Sequence, residues 1–426
     1  MISLSWTDYS ENFDDVTLAE KACFITPEGK PSDLKADSCG NLMIEGDNYP
    51  VLQKISKDFE GKIHFIYIDP PYNTGNNFTY EDDFSVLSQD SASGSSRVDK
   101  HSAWLSFMKR RLQLAKDMLS EKGCIFIAID QSELYTLKLL CDQIFGEENF
   151  VNDFMWLHGK GKKDRWSRTL QQHTLCYARF KAKLPAFREI ENSNWAHTNA
   201  DDDPRGKWFS GSISFNEKRS NPNHKNFYSI TSPGGRVWTR QWLVTREEMD
   251  SLLADKRIFF GKAPQYSKVP RVKIFNDTES EVIPRNIIES VETTRAAQKH
   301  LDKLLGVKGA FDNPKPVNLI KHLMKICGLP KDALVLDFFA GSGTTFEALC
   351  SLNSEDGGRR KCILVQKAEP TYSLQTKKSP RKGCEAAFNA GYMTIADLCW
   401  ERCCRTAKEY GAAISRLNLV FDSKSD

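Results

Sequence analysis

The sequence predicts an α/β protein with a doubly wound, mostly parallel sheet that is assembled from both ends of the chain. Apolar runs of strand length, such as Ile63–Ile68, occur on both sides of a long middle segment, and a helical pattern follows them. Strands that alternate with helices favour parallel pairing within one sheet. Between residues 151 and 300 the segments are short and interrupted by Pro, Gly and Asn, which indicates a separate, inserted domain.

The first part of the sheet domain is expected within residues 41–150, after an extended lead-in over residues 1–40. Its near-continuous apolar run at Ile63–Ile68 is typical of a strand that is buried on both faces. This strand ends at Asp69-Pro70-Pro71, since proline cannot continue a strand ladder. The other elements predicted here are strands at residues 41–47 and 124–130, helices at residues 51–59, 101–119 and 134–145, and a Ser-rich loop at residues 91–96.

The second part of the sheet domain is expected within residues 301–426, after the inserted domain at residues 151–300. In this part, Gly341-Ser342-Gly343-Thr344-Thr345 joins a predicted strand to a predicted helix. We read the inserted domain as strand-rich or irregular. The other elements predicted in the second part are a helix at residues 316–327, strands at residues 333–338 and 361–366, and a helix at residues 395–410.

The overall composition is that of an ordinary globular protein: 426 residues suffice for two domains, and 40% are hydrophobic and 27% charged. No apolar run approaches the length of a membrane-spanning helix, and residues 1–10 lack the pattern of a secretion signal, so we expect a cytoplasmic protein. The twelve cysteines include no Cys-x-x-Cys pair. We therefore expect them to be small buried hydrophobic residues, and we expect no metal site.

The middle segment is basic and aromatic. Residues 151–300 contain 26 Lys and Arg against 17 Asp and Glu, a net charge of +9 within a chain of net charge +3, and they hold six of the nine tryptophans. Basic side chains among aromatic rings suit a surface that neutralises phosphates and packs against bases. A solvated face above an ordinary aromatic core would have the same composition, so composition alone favours neither interpretation.

The glycine-rich turn from Phe338 to Thr345 lies where doubly wound sheets bind their ligands, at the carboxyl end of a strand. Glycine lets the backbone approach a ligand closely, and the N–H groups at the start of the next helix suit an anionic group. The turn fits a nucleotide phosphate or the carboxylate of a methionine, although a phosphate loop would need a Lys before the Ser or Thr. A tight turn without any ligand explains these residues about as well.

Asp69-Pro70-Pro71-Tyr72 is the more specific motif. Methylation of an exocyclic amine requires that the nitrogen lone pair, which is delocalised into the base ring, becomes localised on nitrogen. A carboxylate and a backbone carbonyl that both accept hydrogen bonds from the amine would achieve this, and prolines would hold the carbonyl in place. The tyrosine ring can stack on a base that has left the helix. The alternative is a strand that ends at proline and whose Asp caps a turn.

Both motifs resemble those of a known family. Asp69-Pro70-Pro71-Tyr72 resembles the catalytic motif of DNA amino-methyltransferases, and Phe339-Ala340-Gly341-Ser342-Gly343 resembles their cofactor loop. The order of catalytic motif, inserted domain and cofactor loop resembles the permuted β class. The sequence is most similar to the modification subunits of type III restriction systems, and the likeness covers residues 40–410. The segments that carry this closer likeness are residues 66–75, 102–105, 139–146 and 311–316.

The resemblance implies a DNA adenine methyltransferase that uses S-adenosylmethionine and has the permuted, Rossmann-like methyltransferase fold. Asp69 and the carbonyl of Pro70 would hold the amino group of the target adenine, and Pro71 would complete the rigid turn. Tyr72 would stack on the adenine after it flips out of duplex DNA. Transfer of the methyl group would be direct, without a covalent enzyme intermediate.

The resemblance also implies a set of cofactor-binding residues around the glycine-rich turn: Lys315, Pro316, Asp337, Phe339, Gly341, Ser342, Gly343 and Thr344. Asp47 matches a position that contacts the adenine of the cofactor, although an Asp that caps a turn would look the same. Many relatives place an acid where the strand at 361–366 ends, to bind the ribose hydroxyls. Here Gln366 stands at that place, and either Gln366 or Glu369 would take over the role.

For DNA, the resemblance makes the inserted domain a target-recognition domain, and it makes double-stranded DNA the partner. A charge cluster supplies the candidate phosphate contacts Lys160, Lys162, Lys163, Arg165 and Arg168. His173 and Tyr177 lie in a segment that resembles one that helps to bind the flipped base, but Tyr177 could equally be a core residue. Relatives of this kind suggest a homodimer and a restriction subunit with helicase and nuclease activity as further partners.

Three other functions remain open from the sequence. Methylation of cytosine at N4 would use the same geometry, and only the Asp before Pro70-Pro71 favours adenine, by family pattern. Protein and RNA methyltransferases are less favoured, because relatives of that type tend to carry Asn at the first position of the motif and lack a large basic insertion. A DNA-binding subunit that has lost catalysis is the alternative of a different class, and the intact Asp69, Tyr72 and glycine-rich turn speak against it.

Overall fold

The computed structural model describes residues 4–11, 21–37, 39–75, 82, 84, 99–159, 165–190, 201–275 and 281–421. The chain forms two compact units, which are described separately below. The main unit consists of Met1–Arg188 and Pro284–Asp426, and the inserted unit consists of Glu189–Ile283. No helix within the described ranges is both long enough and apolar enough to cross a membrane.

The described residues form the following strands, in chain order: β1 (Ala22–Ile25), β2 (Pro31–Ser32), β3 (Leu42–Glu45), β4 (Ile63–Ile68), β5 (Leu119–Ile129), β6 (Phe150–Leu157), β7 (Gln171–Ala178), β8 (Glu189–Ile190), β9 (Trp208–Ser212), β10 (Phe227–Thr231), β11 (Val237–Gln241), β12 (Ile258–Phe259), β13 (Arg271–Phe275), β14 (Glu281–Val282), β15 (Ile287–Ile288), β16 (Leu334–Asp337), β17 (Lys361–Gln366) and β18 (Ser415–Phe421). The helices are α1 (Asn48–Ile55), α2 (Lys100–Met118), α3 (Leu134–Phe145), α4 (Arg246–Ala254), α5 (Thr294–Leu305), α6 (Val317–Ile326), α7 (Thr344–Asp356), α8 (Glu385–Asn389) and α9 (Ile395–Tyr410).

The sheet of the main unit has the strand order β15-β6-β7-β5-β4-β16-β17-β3-β18-β1-β2. Its central strands, from β5 to β18 in that order, all pair in parallel. Strands β16 and β17, from the second part of the sequence, lie between β4 and β3, from the first part. The predicted fold class, a mostly parallel α/β sheet assembled from both ends of the chain, is therefore confirmed.

The strand order also creates a switch point between β4 and β16. From β4 the chain continues to β5 on one side of this pair, and from β16 it continues to β17 on the other side. The two crossovers thus depart in opposite directions, which leaves a crevice at the carboxyl ends of β4 and β16. Such a crevice is where doubly wound sheets bind their ligands.

Helices cover both faces of this sheet, which explains the near-continuous apolar runs in the sequence. Ile66 and Ile68 of β4 belong to a buried cluster with α1, α2 and α3. Phe65 and Tyr67, which point to the opposite face, belong to a second cluster with α6, α7 and α9. A strand between two such layers has no solvent-exposed face and therefore needs no polar alternation.

The boundaries of the insertion differ from those predicted. Strands β6 and β7 belong to the main sheet, because β7 pairs antiparallel with β5 along Cys124–Ala178 to Ile129–His173. The inserted unit, Glu189–Ile283, is therefore narrower than residues 151–300, and α5 also belongs to the main unit. At the other end, β1 and β2 extend the main sheet through β18, so this part of residues 1–40 is more than an extended lead-in.

The inserted unit contains a three-stranded sheet, β12-β13-β9, a hairpin, β10-β11, and the antiparallel pair β14-β8 at its two chain ends. Trp238 and Trp242 are buried in its core with Met249 of α4, and Trp208 packs with Phe259 and Phe275. In the main unit Trp156 is also buried, whereas Trp166 has 83% of its surface exposed. Trp195 lies outside the described residues. Most of the tryptophans that suggested a DNA-binding surface are thus core residues.

The central position of β16 leads to a first prediction. Leu336 is fully buried in the middle of the sheet, so Leu336→Ala should leave a cavity and lower the free energy of unfolding by about 2–5 kcal/mol. Leu374→Ala is the matched control, because Leu374 is 73% exposed. Urea denaturation of both variants would check this, and an equally small effect for the two would show that β16 is not a core strand.

Candidate active site

The site lies where β4 and β16 end side by side. Val335 and Leu336 of β16 pair with Phe65 and Ile66 of β4, and parallel pairing places Asp337 and Asp69 at the same edge of the sheet. Burial, together with a smaller effect of the nearby charge of Asp69, raises the pKa of Asp337 to about 7. The two sequence motifs, which lie far apart in the chain, therefore carry carboxyl groups that interact electrostatically.

Asp69 accepts hydrogen bonds from two sides. The Nζ of Lys315 donates to Asp69 Oδ2 at 2.5 Å and to the Tyr72 hydroxyl at 3.0 Å, and the Tyr72 hydroxyl donates to Asp69 Oδ1. Gln172 of β7 donates to the same hydroxyl at 2.9 Å. The sequence associated Lys315 with the cofactor, but the structure places its ammonium on the catalytic motif. Neither Lys315 at this place nor Gln172 was predicted as a contact of the catalytic motif.

The two prolines of the motif have different carbonyl environments. The carbonyl of Pro71 accepts a hydrogen bond from the indole Nε1 of Trp104 at 2.7 Å. Trp104 is fully buried in α2, so this contact anchors the loop to the core. Among the described residues, none donates a hydrogen bond to the carbonyl of Pro70. That carbonyl is the one that the sequence assigns to the target amino group.

A buried polar cluster holds the chain after Tyr72. Asn73 has a left-handed backbone (φ 59°), and its side-chain amide donates to Glu133 Oε1 at 2.6 Å. Asp82 accepts from the backbone N–H of Asn73 at 2.8 Å and of Thr74 at 3.0 Å. Glu133, which is 1% exposed, also contacts His101 Nδ1 at 2.7 Å. Nothing in the sequence pattern singled out Asp82 or Glu133, because their role arises only from this turn.

The glycine-rich turn is shaped by backbone contacts. Gly341 (φ 54°) and Gly343 (φ 83°) are both left-handed, a conformation that favours glycine. Gly341 N–H donates to the side-chain oxygen of Gln366, at the end of β17, at 2.7 Å. A Cβ on Gly343 would lie 3.1 Å from Cys403 Sγ of α9, so a larger residue would push the turn away from the helix. These contacts confirm a tight strand-to-helix turn.

The side chains of the turn face different ways. Phe339 and Gly341 are partly exposed, whereas Ser342 and Thr344 are buried, and their hydroxyls both accept hydrogen bonds from Arg402. Asp337 accepts from the N–H of Phe339 at 3.0 Å and from the Thr345 hydroxyl at 2.5 Å. The groups that the turn can offer to a ligand are therefore mainly backbone N–H groups and the ring of Phe339.

Three further residues that were predicted to bind the cofactor already have partners within the protein. Asp47 caps α1 by accepting from Tyr49 N–H at 3.1 Å, and although burial opposes it, Arg111 and Lys367 lower the pKa of Asp47. The capping role that the sequence left open is thus observed. Gln366 holds Gly341, and Glu369 lies 3.8 Å from Arg381. Their cofactor contacts stay predictions, as do those of Lys315 and Pro316, the residue that immediately precedes α6.

The predicted DNA contacts fall into three groups. Arg165 and Arg168 are exposed, and Arg165 stacks on the exposed ring of Trp166 at 4.7 Å. His173 and Tyr177 lie on β7 and are buried; His173 contacts Asp153 at 2.7 Å. Tyr177 is 0% exposed and donates to Asp142 at 2.7 Å, which favours the core role that the sequence left open for it; its contact with DNA stays a prediction. Lys160, Lys162 and Lys163 lie outside the described residues.

The cysteines and other ligand-type side chains show no metal site within the described residues, where no group of three or more His, Cys, Asp or Glu is placed to hold an ion. All twelve cysteines are free thiols, and all except Cys23 and Cys404 are buried or nearly so. Burial raises the pKa of several of them, for example that of Cys141. This confirms that they behave mainly as small hydrophobic residues.

Comparison with known proteins identifies the family. Residues 63–377 match the family model N6_N4_Mtase, which is described as DNA methylase. The chain belongs to this family. It is similar to the Mod subunit of the type III restriction-modification enzyme StyLTI of Salmonella typhimurium, with 34% identity over 87% of this chain and 58% of that subunit. It is similar also to the Mod subunit of the EcoPI enzyme of Escherichia phage P1, with 33% identity over 85% of this chain and 61% of that subunit.

A relative of another type matches almost end to end. The type II methyltransferase M.KpnI of Klebsiella pneumoniae is 32% identical over 92% of this chain and 90% of its own length. By contrast, the chain spans about 60% of the length of the StyLTI and EcoPI Mod subunits. The resemblance to the DNA amino-methyltransferases, and to Mod subunits in particular, is thereby confirmed as a family relationship.

The anchoring role of Trp104 gives a prediction. Trp104→Phe keeps an aromatic ring but removes the N–H that fixes the Pro71 carbonyl, so we expect DNA methylation to fall about tenfold, as loss of one buried hydrogen bond suggests. Trp400→Phe is the control, since Trp400 lies on α9 and packs against the other core cluster from the one that contains Trp104. Incorporation of labelled methyl groups into DNA would measure both. Equal activity of the two variants would contradict the anchoring role.

The raised pKa of Asp337 gives a prediction for stability. Because its folded-state pKa is about 7 rather than the ordinary 3.8, the contribution of Asp337 to stability is full at low pH and is lost as the pH rises through 7. Asp337→Asn should therefore gain stability relative to wild type between pH 5 and pH 8, by up to about 3 kcal/mol.

Urea denaturation of wild type and Asp337→Asn at pH 5 and pH 8 measures this gain. Loss of one of the two hydrogen bonds to Asp337 adds an offset that does not depend on pH. Asp58→Asn, at an exposed position, should show no such pH dependence. A difference between Asp337→Asn and wild type that is the same at both pH values would contradict the prediction.

Proposed function

We propose that this protein methylates adenine at N6 in duplex DNA, with S-adenosylmethionine as the methyl donor. The observation that carries the proposal is that Asp69 lies next to the glycine-rich turn, which follows the neighbouring strand. Asp69 already accepts a hydrogen bond from an N–H donor, the ammonium of Lys315. Family membership supports the reaction, and the Mod and type II relatives support DNA as the substrate.

Asp69 and Pro70 would hold the target amine. In the structure the Asp69 carboxylate accepts from the ammonium of Lys315, and the Pro70 carbonyl has no donor among the described residues. An exocyclic amine presents two N–H donors, which these two oxygens can accept. Both bonds draw the nitrogen lone pair out of the ring and make the amine a better nucleophile. Catalysis would thus come from positioning and from oriented acceptors.

The residues at the end of β16 suit the cofactor. The left-handed Gly341 is partly exposed and lets backbone come close to a ligand, and the first turn of α7 offers N–H groups to a carboxylate. Phe339 supplies an apolar surface, and Asp337 holds the turn in shape. S-Adenosylmethionine, when bound, supplies an electrophilic methyl group on a sulfonium, so no nucleophilic side chain of the protein is needed.

For the DNA, we propose that the inserted unit serves target recognition and that Arg165 and Arg168 contact phosphates. The exposed Arg165, Trp166 and Arg168, which lie between β6 and β7 in the main unit, support the phosphate contacts, because cationic and aromatic side chains suit a nucleic-acid surface. Exposed cations of the inserted unit, such as Lys218 and Arg219, support its role in recognition. The adenine would flip out of the duplex to reach Asp69, with Tyr72 and His173 beside it. Lys160, Lys162 and Lys163 belong to the same proposal.

Adenine rather than cytosine is favoured by the Asp at the first position of the motif, and methylation of cytosine at N4 is the second candidate. By analogy with the Mod relatives we also propose a restriction-modification setting, with a restriction subunit and a second copy of this chain as partners. Such an enzyme would work in the cytoplasm, where its DNA substrate lies.

Asp69→Asn tests the reaction. The amide loses the charge and offers an N–H group where the amine needs an acceptor, so methyl transfer should fall by on the order of a hundredfold or more. Labelled S-adenosylmethionine and DNA of diverse sequence provide the assay, and nucleoside analysis of the product distinguishes N6-methyladenine from N4-methylcytosine. Asp58→Asn is the matched control at an exposed position. Undiminished transfer by Asp69→Asn would refute the proposed role.

A further inference from the structure

A buried ion pair lies behind the glycine-rich turn. Arg402 of α9 and Glu347 of α7 have side chains that are 1% and 4% exposed. Glu347 Oε2 accepts from both Nε and Nη2 of Arg402, each at 2.9 Å. Neither residue belongs to a motif that the sequence singled out. Charges at such depth are tolerated only when they are paired and hydrogen-bonded, and this pair satisfies both conditions.

The remaining nitrogen of Arg402 reaches the turn itself. Its Nη1 donates to Ser342 Oγ at 2.8 Å and to Thr344 Oγ1 at 2.7 Å. Both residues are buried, at 3% and 5% exposure. Arg402 thus connects three segments, namely its own helix, the first turn of α7 and the turn between β16 and α7.

Glu347 also contacts a side chain that is partly exposed at the surface, that of His300. His300 of α5 contacts the other oxygen of Glu347, and its side chain is 47% exposed. The hydrogen bond with Glu347 raises the pKa of His300 although burial lowers it; Arg402 also lowers it and Glu409 raises it. Although burial raises it, His300 and Arg402 lower the pKa of Glu347. Its carboxylate lies between these two side chains and holds that of Arg402 in one orientation.

An apolar pair would fill this place without the desolvation of two charges, and such replacements are often neutral or stabilising. An apolar pair cannot supply hydrogen-bond donors that point in fixed directions. The guanidinium is planar and rigid, with donors at fixed angles, so it sets the positions of both hydroxyls at once. The turn needs such a constraint, because the left-handed Gly341 and Gly343 flank Ser342. Glycine has the most flexible backbone of all residue types.

We propose that Arg402, oriented by Glu347 and His300, is a positioning residue that sets the cofactor affinity of the glycine-rich turn. This rests on the proposed function, since it takes S-adenosylmethionine as the ligand of the turn. Arg402 does not touch the ligand in this proposal. It fixes the backbone on both sides of Ser342, so that the N–H groups of the turn are already oriented when the ligand arrives, which lowers the entropic cost of binding.

The double variant Arg402→Met with Glu347→Leu tests this. Both charges leave together, so no unpaired charge remains buried and the fold should be kept. We expect the Kd for S-adenosylhomocysteine, measured by calorimetry, to rise at least about tenfold, as loss of charge-assisted hydrogen bonds suggests. The KM for S-adenosylmethionine should rise in parallel, while kcat at saturating cofactor and the melting temperature without ligand change little.

Arg405→Met with Glu401→Leu is the matched control. This second Arg–Glu pair lies one turn along the same helix, but its side chains are 40% and 37% exposed and Arg405 also donates to the carbonyl of Leu304. It should bind S-adenosylhomocysteine as wild type does. A double variant at Arg402 and Glu347 that is folded and keeps wild-type affinity would overturn the proposal. If wild type itself binds no S-adenosylhomocysteine, the proposed function fails instead.

Arg402→Lys covers the case in which the double variant does not fold. Lysine keeps the charge and the ion pair with Glu347, but its single nitrogen cannot also span Ser342 and Thr344 in the planar geometry of arginine. Weaker cofactor binding by this folded variant would support the proposal, and wild-type affinity would overturn it.

Discussion

The parallel pairing of β4 with β16 is the constraint on which the rest of the site depends. β4 is followed by Asp69, and β16 ends at Asp337, so their adjacency places two motifs from distant parts of the chain at one edge of the sheet. The crossovers from these strands depart in opposite directions and leave the crevice between them open. Contacts that cross the crevice, such as Lys315 with Asp69, exist only because this register holds.

Placing two carboxyl groups at adjacent strand ends creates an electrostatic problem that the structure resolves unequally. Asp337 is buried and has a pKa raised to about 7, and it accepts hydrogen bonds from Phe339 and Thr345 as part of the turn. Asp69 is partly exposed and is paired with the ammonium of Lys315. Like charges in one site disfavour each other. Of the two carboxyl groups, only that of Asp337, which supports the turn, is deeply buried. Asp69 is thereby left as the acceptor that faces the crevice.

The sequence predicted the parts of the fold whose signal is local. Near-continuous apolar runs indicated the central strands, and the proline motif and the glycine-rich turn marked the two halves of the site. β7 was assigned to the insertion because the segments after residue 150 are short and interrupted by Pro, Gly and Asn, although this strand pairs with β5. Lys315 and Asp69 are 246 residues apart, and no local pattern reports such a contact. The sequence contained only a weak indication of the role of Arg402, namely a charged residue on the buried face of α9 together with Leu398 and Cys399.

The middle segment, residues 151–300, shows why composition alone did not decide its role. Its basic residues and its tryptophans were counted together, but the structure separates them: Trp208, Trp238 and Trp242 form cores, whereas Arg165 and Arg168 are exposed. A surface that binds phosphates must be judged by exposed charge, because a buried ring cannot meet a base. By that measure both the hairpin of β6 and β7, with Arg165 and Arg168, and the inserted unit, with exposed cations such as Lys218, Arg219 and Lys225, are candidates. Of the two, β7 also carries Gln172 to the hydroxyl of Tyr72. One hairpin of the main unit would then connect the proposed phosphate contacts with Tyr72, the residue that we propose to stack on the base.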